Sequence, residues 1–359
     1  MSSDCVIQDL DLAVFADRLR PRGDRSDVLS MSGSMEVTRR CNMQCRHCYV
    51  SYPGAPRGEM TLDQVKCVLD QLAANGALFL LLTGGEPLVR KDFEDLYLHA
   101  KRAGLIPTLF TNATLVTESM ADFLATWPPR KVEVSVYGFS EATYEKITGV
   151  PGSFAAMRRG VERLRGRGLA LRLKTMVMKS NLHEFEDLKR WAEELGVRFR
   201  YDPIINPQLD GGMDPTSERL TPQEAARIAG ASEADLGHFA ATREQIRQGK
   251  SVRRLFLCGA GVKTFHVDAQ GRLHPCMLWR YDPWDLLEKP LDATWKQKVD
   301  ELRKRPDEDG PCATCELYAI CGRCAPLSAM EGGDPAQKVM YHCAVGRERA
   351  RLFDQIGRS

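Results

Sequence analysis

Between residues 34 and 201, short apolar runs of strand length alternate with longer segments of helical period, and this limits the fold more than any other feature of the chain. Residues 34–38 read as a first strand. Thr61 caps a helix carrying Leu62, Val65, Leu69 and Leu72 on one face, Gly76 stops it, and 77–82 is a continuous apolar run of buried-strand character. The pattern repeats as helix 93–103, strand 106–111, helix 117–127 closed by Pro128 and Pro129, and strand 131–136. Helix 154–167 ends at Gly168, strand 169–177 follows, Asn181 caps helix 182–195, and 197–201 is a sixth strand. Six strands separated by helices predict a parallel sheet with right-handed crossovers, open or curled into a partial barrel.

Residues 203–257 break the pattern, with a loop holding Pro203, Pro207, Gly211, Gly212 and Pro215 and then two short helices, the first opened by the capping box Thr221-Pro222-Gln223-Glu224. Beyond them, segments 263–268 and 272–275 flank Ala269-Gln270-Gly271 as a hairpin, and a loop-rich region too poor in apolar residues to fold well without cross-links ends the chain. A chain of 359 residues accommodates one domain of about 200 to 250 residues and a smaller one.

A net charge of +2, with 43% hydrophobic and 27% charged residues, offers no basic field for nucleic acid or anionic lipid. Residues 1–34 carry Asp4, Asp9 and Asp11 and no apolar segment behind a basic end, so they are not a secretory signal, and no apolar run of about 18 residues spans a bilayer. The expected compartment is the cytoplasm. In that reducing setting twelve cysteines are metal ligands before they are disulfides. Cys5 and Cys67 stand outside the two cysteine groups, and Cys67, beside Val68 and Leu69, reads as a small buried hydrophobe.

Cys41-Asn-Met-Gln-Cys45-Arg-His-Cys48 places three thiolates on one short loop after the first strand. A structural zinc takes four ligands. Three suit a four-iron cluster with one iron open to a non-protein ligand, and His47 is a ring able to lie over what fills that position. A zinc knuckle and a redox pair are the alternatives. Thr83-Gly84-Gly85-Glu86-Pro87 follows the second strand, where glycines let backbone approach a ligand at the rim on which α/β folds place their sites.

The two motifs together resemble the cluster loop and the S-adenosylmethionine (SAM) amino-holding motif of the radical SAM enzymes, which implies a partial (β/α)6 barrel. The resemblance makes Ser135, in Ser135-Val136-Tyr137-Gly138, a SAM contact, a serine satisfied by local backbone being the alternative. Many relatives carry Asp where this chain has Tyr137, so the role of that carboxylate does not transfer. Asn112, Lys146 and Lys174 are further candidates for SAM contact, with solvated surface lysines as the bland reading.

The C-terminal cysteines run Cys258, twelve residues, Gly271, four residues, Cys276, then Cys312-x2-Cys315-x5-Cys321-x2-Cys324, then Cys343. The pattern resembles the SPASM extension of peptide maturases, although the last spacing there is three residues and here two. The resemblance implies a distal auxiliary cluster on Cys312, Cys315, Cys321 and Cys343 and a proximal one on Cys258, Cys276 and Cys324. For the open place on the proximal cluster, the choices are a vacant iron, His266 or Asp268, or a substrate thiolate; a pair of zinc ribbons is the alternative to clusters. Trp279, Tyr281, Trp284, His266 and His274 surround the hairpin as packing or as a substrate wall. The sulfatase maturases carry Asp where this chain has Met277, which disfavours that activity.

The resemblance therefore implies three iron-sulfur clusters, SAM, reductive cleavage to a 5'-deoxyadenosyl radical, and oxidative C–C or C–S bond formation on a ribosomally made precursor peptide. A flavodoxin or ferredoxin is the implied electron donor, and a separate leader-binding protein is expected because 34 residues before the first strand are too few for a recognition module. A small-molecule oxidase such as a haem-precursor decarboxylase, or a zinc scaffold without catalysis, are the other readings. The expected divisions are a lead-in over 1–34, the barrel over 35–220, a helical bridge over 221–257 and the SPASM domain over 258–359.

Overall fold

The computed structural model describes residues 29–50, 58–230, 233–249, 255–256, 258–304, 312 and 314–356. Six parallel strands, β1 (Ser32–Thr38), β2 (Phe79–Gly84), β3 (Ile106–Thr111), β4 (Lys131–Ser135), β5 (Leu171–Met176) and β6 (Arg198–Asp202), lie side by side in chain order. Between them run α1 (Leu62–Ala74), α2 (Phe93–Arg102), α3 (Glu118–Thr126), α4 (Glu141–Thr148), α5 (Ser153–Gly166) and α6 (Phe185–Glu194). When neighbours in sequence are neighbours in the sheet and crossovers keep one hand, every helix falls on the same face, and the bare face curls inward as a partial barrel.

Side-chain alternation makes that division visible. Leu80, Leu82, Leu109, Val132, Val134 and Leu173 point to the helices and are buried with Val65, Leu69, Leu72 and Leu96. Their neighbours Leu81, Thr83, Phe110, Ser135, Lys174 and Met176 point into the lumen and are only partly buried.

The helix starts are chemically determined. Thr61 and Gln64 form a reciprocal capping box at α1, and Thr117 accepts from the Met120 N–H at α3. Helix α4, absent from the sequence expectation, is opened by Ser140, which accepts from the Thr143 N–H, and closed by Gly149 in the left-handed region at φ 69°. Cys67 corrects the sequence reading: it is exposed on α1, because the buried stripe is Val65, Val68, Leu69 and Leu72.

The hairpin of β7 (Phe265–Val267) and β8 (Arg272–His274) does not stand apart from the barrel. Strand β7 pairs in parallel with β1, matching Gly33 to Phe265, Ser34 to His266 and Met35 to Val267, and β9 (Trp284–Asp285) completes the sheet. A Cβ at Gly33 would lie 2.2 Å from the Phe265 ring, so glycine there admits the ring onto the strand.

In the C-terminal third, α7 (Pro222–Ala229) packs against α11 (Met340–Ile356). Leu220, Ala225 and Val345 share an apolar cluster with Val177 and Phe185 of the barrel. Arg219 pairs with Glu331 on α10 (Ala325–Gly332). Helix α8 (Glu233–Arg247) has fifteen residues, longer than the sequence suggested, and α9 (Ala293–Lys304) lies over the hairpin side through Trp295 and Val299. No helix among the described residues is long and apolar enough to cross a membrane.

Candidate functional site

The loop that leaves β1 carries Cys41, Cys45 and Cys48, and backbone bonds fasten it across the barrel mouth to α4. The Gln44 N–H donates to the Thr148 carbonyl at 2.8 Å and the Arg46 N–H to the Ile147 carbonyl at 3.1 Å. Asn112, just after β3, donates through its amide to Asn42 at 2.9 Å, and Asn42 donates to Thr114 at 2.8 Å. Asn112 is thus buried and engaged with the cysteine loop itself.

The structure brings the three thiols together. Burial pushes the Cys41 thiol up to about 11, with Glu86 and Cys48 adding to it, and Cys45 is raised by burial and then by Cys48 and Cys41. Cys48 is raised by burial as well. Thiols so placed become thiolates only around a positive centre, and soft donors at this spacing fit iron and sulfide. No three His, Cys, Asp or Glu side chains among the described residues converge as a site for one metal ion.

His47 is buried, and burial pulls its ring down to about 4, so it is neutral at physiological pH. Its Nδ1 has no hydrogen-bond partner among the described residues, and the ring meets Tyr137 edge-on at 4.3 Å between centroids. Tyr137 hydrogen-bonds Ser135 and lies near Cys45.

Thr83 is partly exposed at the end of β2, and the two glycines after it let a second stretch of backbone come close. A Cβ at Gly84, where φ is +137°, would lie 2.0 Å from the Thr38 carbonyl oxygen, and one at Gly85 would lie 2.2 Å from that of Arg40. The Gly85 N–H donates to Thr38 and the Glu86 N–H to Arg40, both at 2.9 Å. The close approach is between the exits of β1 and β2, one residue before Cys41. Glu86 caps the short turn begun by Pro87, accepting from the Leu88 N–H at 3.1 Å, the Thr111 hydroxyl at 2.8 Å and the Asn112 N–H at 2.7 Å. Burial raises its carboxyl to about 7 against those bonds.

Of the candidate lysines, Lys146 is exposed on α4 and makes no hydrogen bond or ion pair among the described residues. Lys174 projects into the lumen with its ammonium 3.0 Å from the centre of the Phe110 ring.

Sequence reasoning missed a buried charge network at the seam of β1 and the hairpin. Glu36 accepts from Arg280 and from His266 Nε2 at 3.2 Å, while Ser34 meets His266 Nδ1 at 2.8 Å. Asp268 binds Arg272 at 2.8 Å and His274 at 3.3 Å, and Arg39 approaches it at 3.6 Å. Although burial opposes ionisation, His266 and Arg280 hold the Glu36 carboxyl down at about 2. Both ring nitrogens of His266 are thus engaged within the seam, and Asp268 is paired with Arg272 and His274. The alternating polarity Ser34-x-Glu36-x-Thr38 was the available signal.

The other cysteines gather as two sets. Cys324 is raised to about 12 by burial, then by Cys276 and Cys258; Cys321 reaches about 11 by burial, then by Cys315, Cys312 and Cys343. Cys5 lies outside the described residues. Met277 accepts a weak bond from the Tyr49 hydroxyl at 3.5 Å. Trp284 packs in the main core, whereas Trp279 and Tyr281 wall a cavity of about 260 Å³ with Trp295 and Leu302.

A partial (β/α)6 barrel with three thiols on its first rim loop and a cysteine-rich C-terminal extension defines a cluster-bearing enzyme class. Residues 35–192 match the Radical SAM superfamily model, and the chain is a radical SAM enzyme that resembles peptide maturases of that superfamily. It is 27% identical over 332 residues to an AdoMet-dependent heme synthase of Methanosarcina barkeri, covering 85% of this chain and 94% of that one. It is 25% identical over 334 residues to the mycofactocin maturase MftC of Mycobacterium tuberculosis, covering 88% and 84%. Among solved structures, Streptococcus suis SuiB bound to its precursor peptide SuiA superposes with a TM-score of 0.65 at 15% identity, covering 94% of this chain and 82% of that one. The family implies a four-iron cluster and SAM.

Proposed function

We propose that this enzyme oxidatively modifies a peptide, forming a C–C or C–S link or a similar bond, and that the observation carrying this reading is the character of the lumen. Its wall on β2 to β5 is partly exposed and mixes Thr83, Ser135 and Lys174 with Leu81, Phe110 and Met176, and β6 is an edge strand whose Arg198, Arg200, Tyr201 and Asp202 are exposed. A free parallel edge accepts an extended chain by main-chain hydrogen bonding, and a lumen lined with Lys174, Arg200, Glu36 and Arg280 suits a polar chain. The likeness to MftC and to SuiB, a protein solved with a precursor peptide, points the same way.

In this reading Cys41, Cys45 and Cys48 hold the cluster, which when bound supplies the electron that cleaves SAM. Cys312, Cys315, Cys321 and Cys343 would hold a distal auxiliary cluster, and Cys258, Cys276 and Cys324 a proximal one whose fourth place no cysteine described here fills. His47, Tyr137 and Ser135 form a neutral wall beside the first loop, able to take the uncharged part of SAM and exclude water. A leader-binding protein and a flavodoxin or ferredoxin are the proposed partners, and the cytoplasm the proposed compartment.

A second reading, oxidation of a carboxylated tetrapyrrole, is favoured by the similarity to the heme synthase over 85% of the chain. One experiment separates the two. The anaerobically reconstituted enzyme is given SAM and reductant with either a precursor peptide encoded beside it or iron coproporphyrin. A mass change in the peptide together with stimulated 5'-deoxyadenosine supports peptide maturation; turnover of the porphyrin alone overturns it.

A further inference from the structure

We infer that Lys174 and Arg200, neighbours on β5 and β6, form an anchor for a carboxylate of the substrate inside the barrel. The inference rests on the peptide reading and names an acidic residue as the group that the site takes.

Residues 174 and 200 are cross-strand partners, and Ser135 of β4 is the partner of Lys174 on its other side. All three share the lumen face, because Phe199 and Tyr201 on the opposite face of β6 pack against Phe185. The anchor would therefore sit one strand from the serine proposed to border SAM, within reach of the reacting end of a bound chain.

The local charge is unbalanced. Glu133, buried beneath, is met by Lys131 at 2.5 Å, Arg172 at 3.3 Å and Arg200 at 3.8 Å. One carboxylate thus serves three cations, and Asp202, further along β6, turns its carboxylate to the Ile204 N–H at 2.8 Å. Lys174 has no hydrogen bond and no ion pair among the described residues, only the Phe110 ring face. A half-buried ammonium with three donors and an aromatic floor lacks an anion in a lumen of excess positive charge. Burial draws it down to about 7, with Glu133 and, more weakly, Glu86 opposing and Arg200 assisting, and an arriving carboxylate would restore its charge. Arg200, exposed and loosely held at 3.8 Å, is free to swing toward the same group.

The probes are acetyl-Gly-Glu-Gly-amide, its Gln counterpart and glutarate, titrated calorimetrically into the reconstituted enzyme with SAM bound. The Glu peptide should bind about tenfold more tightly than the Gln peptide, a difference of about 1.4 kcal/mol. Arg200→Met should erase the preference while SAM affinity and substrate-free 5'-deoxyadenosine formation stay at wild-type levels, and Lys174→Met should erase it as well. Equal binding of the two peptides would overturn the anchor, as would weakened SAM binding in Lys174→Met, which would assign the lysine to SAM. Binding of glutarate, lost in Lys174→Met, with neither peptide bound would uphold the anchor and defeat the peptide reading.

Discussion

Replacing Gly85 with Ala tests how the barrel rim sets the position of the cysteine loop. The added Cβ would fall 2.2 Å from the Arg40 oxygen, 2.6 Å from its carbonyl carbon and 2.7 Å from the Arg39 oxygen. All three are backbone atoms, so relief requires the exits of β1 and β2 to separate by about 1 Å, the shortfall from an ordinary carbon–oxygen contact near 3.2 Å. That separation breaks or stretches two backbone hydrogen bonds, Gly85 to Thr38 and Glu86 to Arg40. At about 0.5–1.5 kcal/mol each, with about 1–3 kcal/mol for overpacking, the loss of stability sums to about 2–6 kcal/mol. Because Arg40 precedes Cys41, the same shift displaces the first thiol, and a displacement of about 1 Å near reacting groups lowers rates on the order of 100-fold. Urea unfolding of the metal-free protein reads the first effect, and 5'-deoxyadenosine formation after reconstitution reads the second. Gly166→Ala, where nothing lies within 4 Å, is the control and should leave both unchanged or raise stability slightly. A Gly85→Ala protein of wild-type stability that has lost only SAM affinity would refute the reasoning and return the glycine to the role of admitting the ligand.

Converting Cys41, Cys45 and Cys48 together to Ala should abolish 5'-deoxyadenosine while iron bound by the C-terminal cysteines persists, measured by nucleoside and iron analysis; undiminished SAM cleavage would count against the first loop as the SAM-cleaving site. Glu36, held at about 2 in the folded chain against about 4.3 unfolded, contributes stability that is complete above about pH 4.5 and lost as pH falls toward 2. Glu36→Gln should therefore lie about 3 kcal/mol below wild type near pH 7, and the gap should close on acidification in paired urea titrations. The Arg219–Glu331 pair is nearly buried, so Arg219→Met alone should cost about 3–5 kcal/mol, whereas adding Glu331→Leu should recover most of it; a double variant no better than the single would show that the pair holds the C-terminal region by more than its charges.

What could be read from the sequence follows the range of the interactions. The strands of the barrel were legible because their periodicity is local: 106–111 coincides with β3, and the other five agree within a few residues. Helix α4 escaped because its eight residues give little more than two turns of pattern, although Ser140 and Gly149 marked its ends. The cysteine spacings were legible for the same reason, whereas the seam joining Glu36, His266 and Arg280 unites residues more than 200 positions apart. No local pattern carries such a pairing. Besides the alternating polarity of Ser34, Glu36 and Thr38, glycine at position 33, near the start of β1, was a trace of it, since the missing side chain is the space that Phe265 occupies. Glu86 was assigned to the right loop by its neighbours, but its three donors come from the end of β3 and from its own turn, a geometry that only the fold supplies.

The pairing of β1 with β7 also orders events during synthesis. Strand β1 is among the first parts of the barrel to leave the ribosome, yet its outer edge has no partner until Phe265–Val267 emerge, some 230 residues later. At about 5–20 residues per second the edge stays open for roughly 12 to 46 seconds, longer than a barrel half needs to collapse. Through that interval Met35, Glu36 and Val37 form an unpaired template for any other nascent chain. Charged Glu36, still without Arg280, then serves as a gatekeeper against intermolecular pairing before it becomes part of the seam.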